Sequence, residues 1–127
     1  MKVADTSALY ALFRENDAHH AKAKAQLASG EAIVIPAEIL TETLCLIQMR
    51  VGFAPARAAA AFLASTPCVE VQPTHDEPWD DILGEAGRCF ADAGGRLSRA
   101  DAVVVAWSRK RGLAAWSYDK ELLAATS

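Results

Sequence analysis

Short apolar runs of strand length alternate along the chain with longer stretches in which apolar residues recur at helical spacing. Lys2-Val3-Ala4 stops at Asp5 and passes at once into a helical pattern over 6–14. After a break at Glu15-Asn16-Asp17, an Ala- and Lys-rich helix is predicted over 18–28 and ends at Ser29-Gly30. The β-branched run 32–35, closed by Pro36, predicts a second buried strand. In the helix predicted over 37–51, Leu40, Leu44, Ile47 and Val51 make one apolar stripe, while Cys45, Leu46 and Met49 lie on the opposite side. That helix is apolar nearly all round. Gly52-Phe53-Ala54-Pro55 reads as a break before a helix over 56–64, which Pro67 stops, and 69–71 is a short third strand. A helix over 76–93, with Trp79, Ile82, Leu83, Ala86 and Phe90 as its stripe, is capped by Gly94-Gly95. Another helix starts near Ser98 and ends at Gly112. A fourth strand over 113–117 follows, and Asp119 opens a last helix that reaches Ala125.

Strands alternating with helices in this way predict an α/β fold, a parallel sheet covered by helices on both faces. The 127 residues contain no Gly/Ser linker, low-complexity tract or internal repeat, so one domain over 1–127 is expected. Asp5 interrupts the N-terminal apolar run before a signal peptide could form, and no later apolar run approaches the ~18 residues of a membrane span. A cytoplasmic protein with no membrane association is the expectation. Cys45, Cys68 and Cys89, odd in number and far apart, suit neither a disulfide framework nor a metal knuckle, and are expected to be buried or half-buried thiols.

The net charge of −3 gives no overall pull toward nucleic acid. Its distribution is uneven: Glu70, Asp76, Glu77, Asp80, Asp81 and Glu85 form an acidic block, and Arg88, Arg96, Arg99, Arg109, Lys110 and Arg111 a basic one. A basic rim beside an acidic site is compatible with an anionic substrate, and equally with solvated helix faces.

Four acids stand out by position. Asp5 falls at the carboxyl end of the first strand, the edge where open α/β sheets place their chemistry. Glu42 lies in an otherwise apolar helix, where an ionised carboxylate needs compensation; Glu38, one turn earlier, could share its role. Asp101 and Asp119 begin helices near the same edge. Each has a plain structural alternative. Asp5 and Asp119 are good N-caps, and Ser98 with Asp101 resembles a capping box. Brought together and ionised, carboxylates about 6 Å apart would repel by about 3 kcal/mol per pair at an effective dielectric of about 20. His19 and His20 are adjacent, point about 100° apart on a helix, and cannot chelate one metal as an i, i+4 pair could.

In order along the chain, these segments resemble the PIN-domain ribonucleases, and among them the VapC-type toxins of bacterial toxin-antitoxin pairs. Val3-Ala4-Asp5-Thr6-Ser7-Ala8-Leu9 matches the opening strand that ends in Asp-Thr/Asn-Ser. Ile33-Val34-Ile35-Pro36 through Leu40-Thr41-Glu42-Thr43-Leu44 matches the second acid. Leu97-Ser98 through Asp101 to Gly112 matches the third, and Trp116-Ser117-Tyr118-Asp119-Lys120 the fourth. Ser117 stands where Thr is commoner, and many relatives continue into a fifth edge strand where this chain stops at Ser127.

The resemblance implies a three-layer α/β/α domain with a central parallel sheet of four strands, or five as in those relatives. It implies RNA as substrate, a cognate antitoxin and a homodimer as partners, and Asp5, Glu42, Asp101 and Asp119 as catalytic, metal-holding acids. Clustered carboxylate oxygens are hard donors suited to Mg2+ or Mn2+. Thr6 and Ser117 would position waters or carboxylates, and Arg96 and Arg99 would contact phosphates. Rival functions fit less well. A haloacid-dehalogenase-type phosphotransferase needs a second Asp where Ser7 stands, a receiver domain needs an acidic pair that is missing, and no phosphate-loop glycine motif occurs. A non-catalytic PIN-like module that binds RNA or protein is the alternative of another class, but it would have no reason to keep four acids. A nuclease assay with and without EDTA separates the two.

Overall fold

Four strands, β1 (Lys2–Ala4), β2 (Ile33–Pro36), β3 (Val69–Gln72) and β4 (Ala114–Trp116), form an all-parallel sheet in the order β3-β2-β1-β4. The structure is a computed structural model that describes residues 1–73 and 99–126. The helix predicted over 76–93, Cys89, Arg96 and Ser98 lie outside the described residues.

β1 pairs with β2 (Val3 with Val34) and with β4 (Val3 with Ala115). Both of its edges are therefore satisfied, and with helices over the sheet such a strand has no solvated face. This explains why Val3 and Ala4, and all four residues of β2, are buried apolar groups without alternation. β3 closes one side of the sheet, with Glu70 and Val71 exposed.

Six helices are described: α1 (Thr6–Phe13), α2 (His20–Ala28), α3 (Ala37–Arg50), α4 (Phe53–Ala64), α5 (Arg99–Arg111) and α6 (Lys120–Thr126). They flank the sheet as the outer layers of a three-layer α/β/α domain. α1 buries Ala8, Leu9, Ala11 and Leu12. α5 is buried without interruption from Ala102 to Ser108, with Trp107 completely covered, so the Ala/Val-rich run forms the interior of a layer. The Arg111 guanidinium lies 3.9 Å from the centre of the Trp107 ring and donates to Gln72 Oε1 at 2.8 Å, tying the end of α5 to β3.

Three expectations change. α4 begins at Phe53 rather than Ala56, because Pro55 falls in the first turn, where a missing N–H removes no hydrogen bond. α3 buries Ile39, Thr43 and Ile47, leaves Leu40 and Leu44 half-buried, and exposes Met49 by 82%. The inward stripe is centred on Thr43, whose hydroxyl is satisfied by the Ile39 carbonyl at 2.7 Å, so burying a polar residue there carries little penalty. Cys45, expected to be covered, is exposed on the outward side of α3, while Cys68 is half-buried. Among the described residues, no helix is long and apolar enough to cross a membrane.

Candidate active site

The strand order changes direction at β1, since β2 and β3 extend the sheet to one side and β4 returns to the other. The carboxyl ends of β1 and β4 therefore flank the switch point where α/β sheets open a crevice. Asp5 follows β1 directly, and its backbone N–H donates to the Trp116 carbonyl of β4 at 3.1 Å. The residue is 1% exposed.

The Asp5 carboxylate is held on both oxygens. Oδ1 accepts the Ser7 backbone N–H at 2.7 Å, the N-cap bond of α1. Oδ2 accepts the Ser7 hydroxyl at 2.8 Å and the buried Ser117 hydroxyl in a short bond. Each hydroxyl has one proton and spends it on Asp5, so their lone pairs are left to accept. Ser7 Oγ accepts the Tyr118 N–H at 2.9 Å, and Ser117 Oγ accepts the Asp119 N–H at 3.0 Å. Burial pushes the Asp5 carboxyl up from 3.8 to about 6. Its hydrogen bonds to Ser117 and Ser7 pull the other way, and the charge of Asp101 adds to the rise. Desolvation rather than repulsion among acids is thus the main cause, which modifies the expectation of mutual repulsion.

The other predicted acids reach the same edge by different routes. Glu42 is half-buried on α3, and its Oε2 accepts the Thr6 hydroxyl at 2.8 Å, linking it to the residue next to Asp5. Asp101 lies in the first turn of α5, half-buried, and is the acid whose charge Asp5 feels. Asp119 accepts the Glu121 and Leu122 N–H groups on Oδ1 at 2.9 and 3.3 Å, capping α6, while its own N–H reaches Asp5 through Ser117. Capping and site placement are therefore not alternatives for Asp5 and Asp119. A helix that starts at the end of a strand puts its cap on the carboxyl edge. Arg99 opens α5, and Arg96 is outside the described residues.

Among the described residues, no three His, Cys, Asp or Glu side chains meet as a ready metal-binding group. The donor set still fits Mg2+, which takes one or two carboxylates and fills its remaining positions with water and substrate phosphate. Asp5 and Asp101 are hard oxygen donors that interact electrostatically, and a cation between them would offset both burial and like charge.

Two members of the site were missed in the sequence. Ser7 bridges the ends of β1 and β4 by donating to Asp5 and accepting from Tyr118. Its place in an Asx-type cap two residues after Asp5 was legible; its bond to a residue at the far end of the chain was not. Tyr118 stacks on His19 with ring centres 4.5 Å apart and accepts the Trp116 indole N–H at 3.2 Å. His20 Nδ1 lies 2.8 Å from the Ala11 carbonyl oxygen, so both histidines have structural partners. Ser7→Ala is expected to destabilise the protein by about 1–3 kcal/mol by leaving the Tyr118 N–H without its acceptor. Thermal denaturation checks this, and an unchanged midpoint would show that the hydroxyl is not the tie between the strands.

Comparison with known proteins gives this edge a family. The chain is 30% identical to the VapC20 toxin of Mycobacterium tuberculosis, described as cleaving the sarcin-ricin loop, with a TM-score of 0.82 over 98% of this chain and 95% of that one. It is 26% identical to the PAE2754 protein of Pyrobaculum aerophilum, with a TM-score of 0.69 over 99% of this chain and 79% of that one. No curated protein sequence matches it. The PIN-domain family matches residues 2–126, nearly the whole chain, and with the VapC20 likeness this shows that the chain belongs to the PIN-domain family, on its VapC-type side.

Proposed function

We propose that the protein is a divalent-metal-dependent endoribonuclease and the toxin of a bacterial toxin-antitoxin pair. The observation that carries this reading is Asp5, a buried carboxylate at the sheet's switch point, held by two hydroxyls and acted on by the charge of Asp101. Asp5 and Asp101 would hold Mg2+ or Mn2+, with Glu42 and Asp119 completing the acidic edge. The ion supplies polarisation of the phosphodiester and a lowered pKa for the attacking water. Ser7 and Ser117 fix the Asp5 carboxylate in one orientation, and Thr6 does the same for Glu42, so the acids do not have to be reorganised when substrate arrives.

RNA is the substrate class, and the sarcin-ricin loop cut by VapC20 is the first target to test. Purified protein incubated with sarcin-ricin loop RNA and with total bacterial RNA should give discrete fragments with Mg2+ or Mn2+ and none with EDTA. Cleavage that persists in EDTA would overturn the metal site, and no cleavage of any RNA would favour a binding module. Expression of the chain alone in bacteria should slow growth, and co-expression of a small neighbouring antitoxin should relieve it. Normal growth would count against the toxin role.

A homodimer in the cytoplasm belongs to the same proposal. Met49 and Phe53, 82% and 66% exposed, make an apolar surface at the junction of α3 and α4, of the kind that marks an interface. A groove of about 790 Å3, lined by Leu12, Phe13, Leu27, Ile47, Ala59 and Phe62 and reaching Val51 and Pro55 at that junction, offers an apolar seat for an antitoxin segment. Light scattering at micromolar concentration should give twice the single-chain mass of 13.6 kDa. A single-chain mass would remove the dimer from the proposal.

A further inference from the structure

Two arginines converge on one tyrosine away from the acids. The Arg14 and Arg50 guanidinium carbons lie 5.6 and 5.3 Å from the centre of the Tyr10 ring. Tyr10 is half-buried on α1, one turn beyond Thr6; Arg14 caps the end of α1, and Arg50 is the last residue of α3. Neither arginine forms an ion pair among the described residues. Two guanidinium groups held at one ring, with no ion pair to neutralise them among the described residues, make a local positive site that a phosphate would complete. A guanidinium held over an aromatic ring by a cation–π contact keeps N–H groups free for such an anion, and its fork matches a phosphate.

The position links this group to the acid edge. α1 and α3 are joined at that edge by Thr6 and Glu42, and farther along they are joined again through Tyr10, one turn on in α1, with Arg14 and Arg50 about two turns on in α1 and α3. The separation of Arg14 from Thr6 and of Arg50 from Glu42 is about 12 Å along each helix, which is about three to four nucleotides of a stacked strand at a rise of about 3.4 Å. Arg109 and Arg111, members of the basic block, are engaged elsewhere: Arg109 donates to the Ala125 carbonyl at 2.6 Å and Arg111 to Gln72.

We infer that Tyr10, Arg14 and Arg50 form a clamp for a backbone phosphate of the RNA, set about three to four nucleotides from the bond cut at the acid edge. The inference rests on the ribonuclease function proposed above and adds the path of the strand, from Asp5 and Glu42 along the seam between α1 and α3. The clamp contacts phosphate and not bases, so it contributes affinity and register without sequence preference.

The test compares wild type with Arg14→Gln, Arg50→Gln and Arg50→Lys, with intact folds confirmed by circular dichroism. Binding of a fluorescently labelled, mixed-sequence single-stranded RNA is followed by anisotropy in EDTA over a range of salt. Each Gln variant should bind about three- to tenfold more weakly, and its slope of log affinity against log salt should be shallower by about 0.7. Arg50→Lys should recover the salt slope but only part of the affinity, because lysine keeps the charge without the fork. Cleavage of RNA should show a raised KM with kcat unchanged. Mn2+-dependent hydrolysis of bis(p-nitrophenyl) phosphate, too small to reach the clamp, should be the same in all four proteins. Wild type that cleaves RNA and the diester, with RNA affinity and salt slope unaltered in both Gln variants, would overturn the clamp alone, including the case in which those variants lose binding to a partner protein instead. Wild type that neither binds the RNA nor hydrolyses the diester would remove the ribonuclease function and the clamp with it.

Discussion

Replacing Asp5 by Asn is expected to lower Mg2+- or Mn2+-dependent RNA cleavage at least about a hundredfold, because loss of one ligand misplaces ion and water together. Glu42→Gln, Asp101→Asn and Asp119→Asn should each have an effect of the same order. The Asp5 variant carries the most weight, since it preserves the shape of the side chain and can still accept the N-cap hydrogen bond from Ser7. A fall in activity then reflects the charge at the strand end and not a frayed α1. Initial rates on one RNA substrate, measured with each variant at saturating metal, check the expectation. Full activity in Asp5→Asn would remove the proposed site.

The same substitution should have the opposite effect on stability when metal is absent. The Asp5 carboxyl is raised from 3.8 to about 6, so the folded chain holds this proton more tightly than the unfolded chain does. The stability this provides is fully present below about pH 4 and is lost as pH rises through about 6, a difference of about 3 kcal/mol. The amide of the Asp5→Asn variant has no charge to bury. In EDTA at pH 8, Asp5→Asn is therefore expected to be more stable than wild type, by less than that difference because its Nδ2 cannot accept the Ser7 and Ser117 hydroxyls, and the advantage should shrink toward pH 4. Millimolar Mg2+ or Mn2+ should raise the melting midpoint of wild type, because a ligand that binds only the folded state stabilises it, and should do so much less in the variant. Asp119→Asn, which keeps the cap on α6, should change the metal-free stability by about 1 kcal/mol or less. Melting curves of the three proteins at the two pH values, with EDTA and with metal, contain the whole comparison. A wild type indifferent to both metal and pH would show that Asp5 is a cap and nothing more.

Over the described residues, the residue pattern by itself determined the strand and helix succession, because elements buried on both faces leave few polar positions in which to hide their period. The runs Val3-Ala4 and Ile33-Val34-Ile35 could be little else than inner strands, and the Ala/Val-rich segment after Asp101 little else than an interior helix. The placement of Asp5 and Asp119 was legible for a related reason: an Asp that ends a strand and starts a helix is both a cap and a member of the carboxyl edge. Start sites such as that of α4 were less legible, since Pro55 in a first turn and Pro55 in a loop look alike until the free N–H positions are known.

Contacts between segments distant in the chain were decided only by the tertiary structure. Nothing near Ser7 in sequence indicates that its hydroxyl accepts the Tyr118 N–H, and nothing near Tyr10 that arginines from two helices meet on its ring. Periodicity assigns a residue to a face but not to the neighbour that face will meet. The parallel pairing of β1 with β4 brings Ser117 onto Asp5, and the packing of α1 on α3 brings Thr6 onto Glu42 and Arg50 onto Tyr10. Burial had the same origin. Asp5 is a surface-type residue in any local window, and it becomes a carboxyl titrating at about 6 only because two strands and the helices over them exclude water from the end of β1.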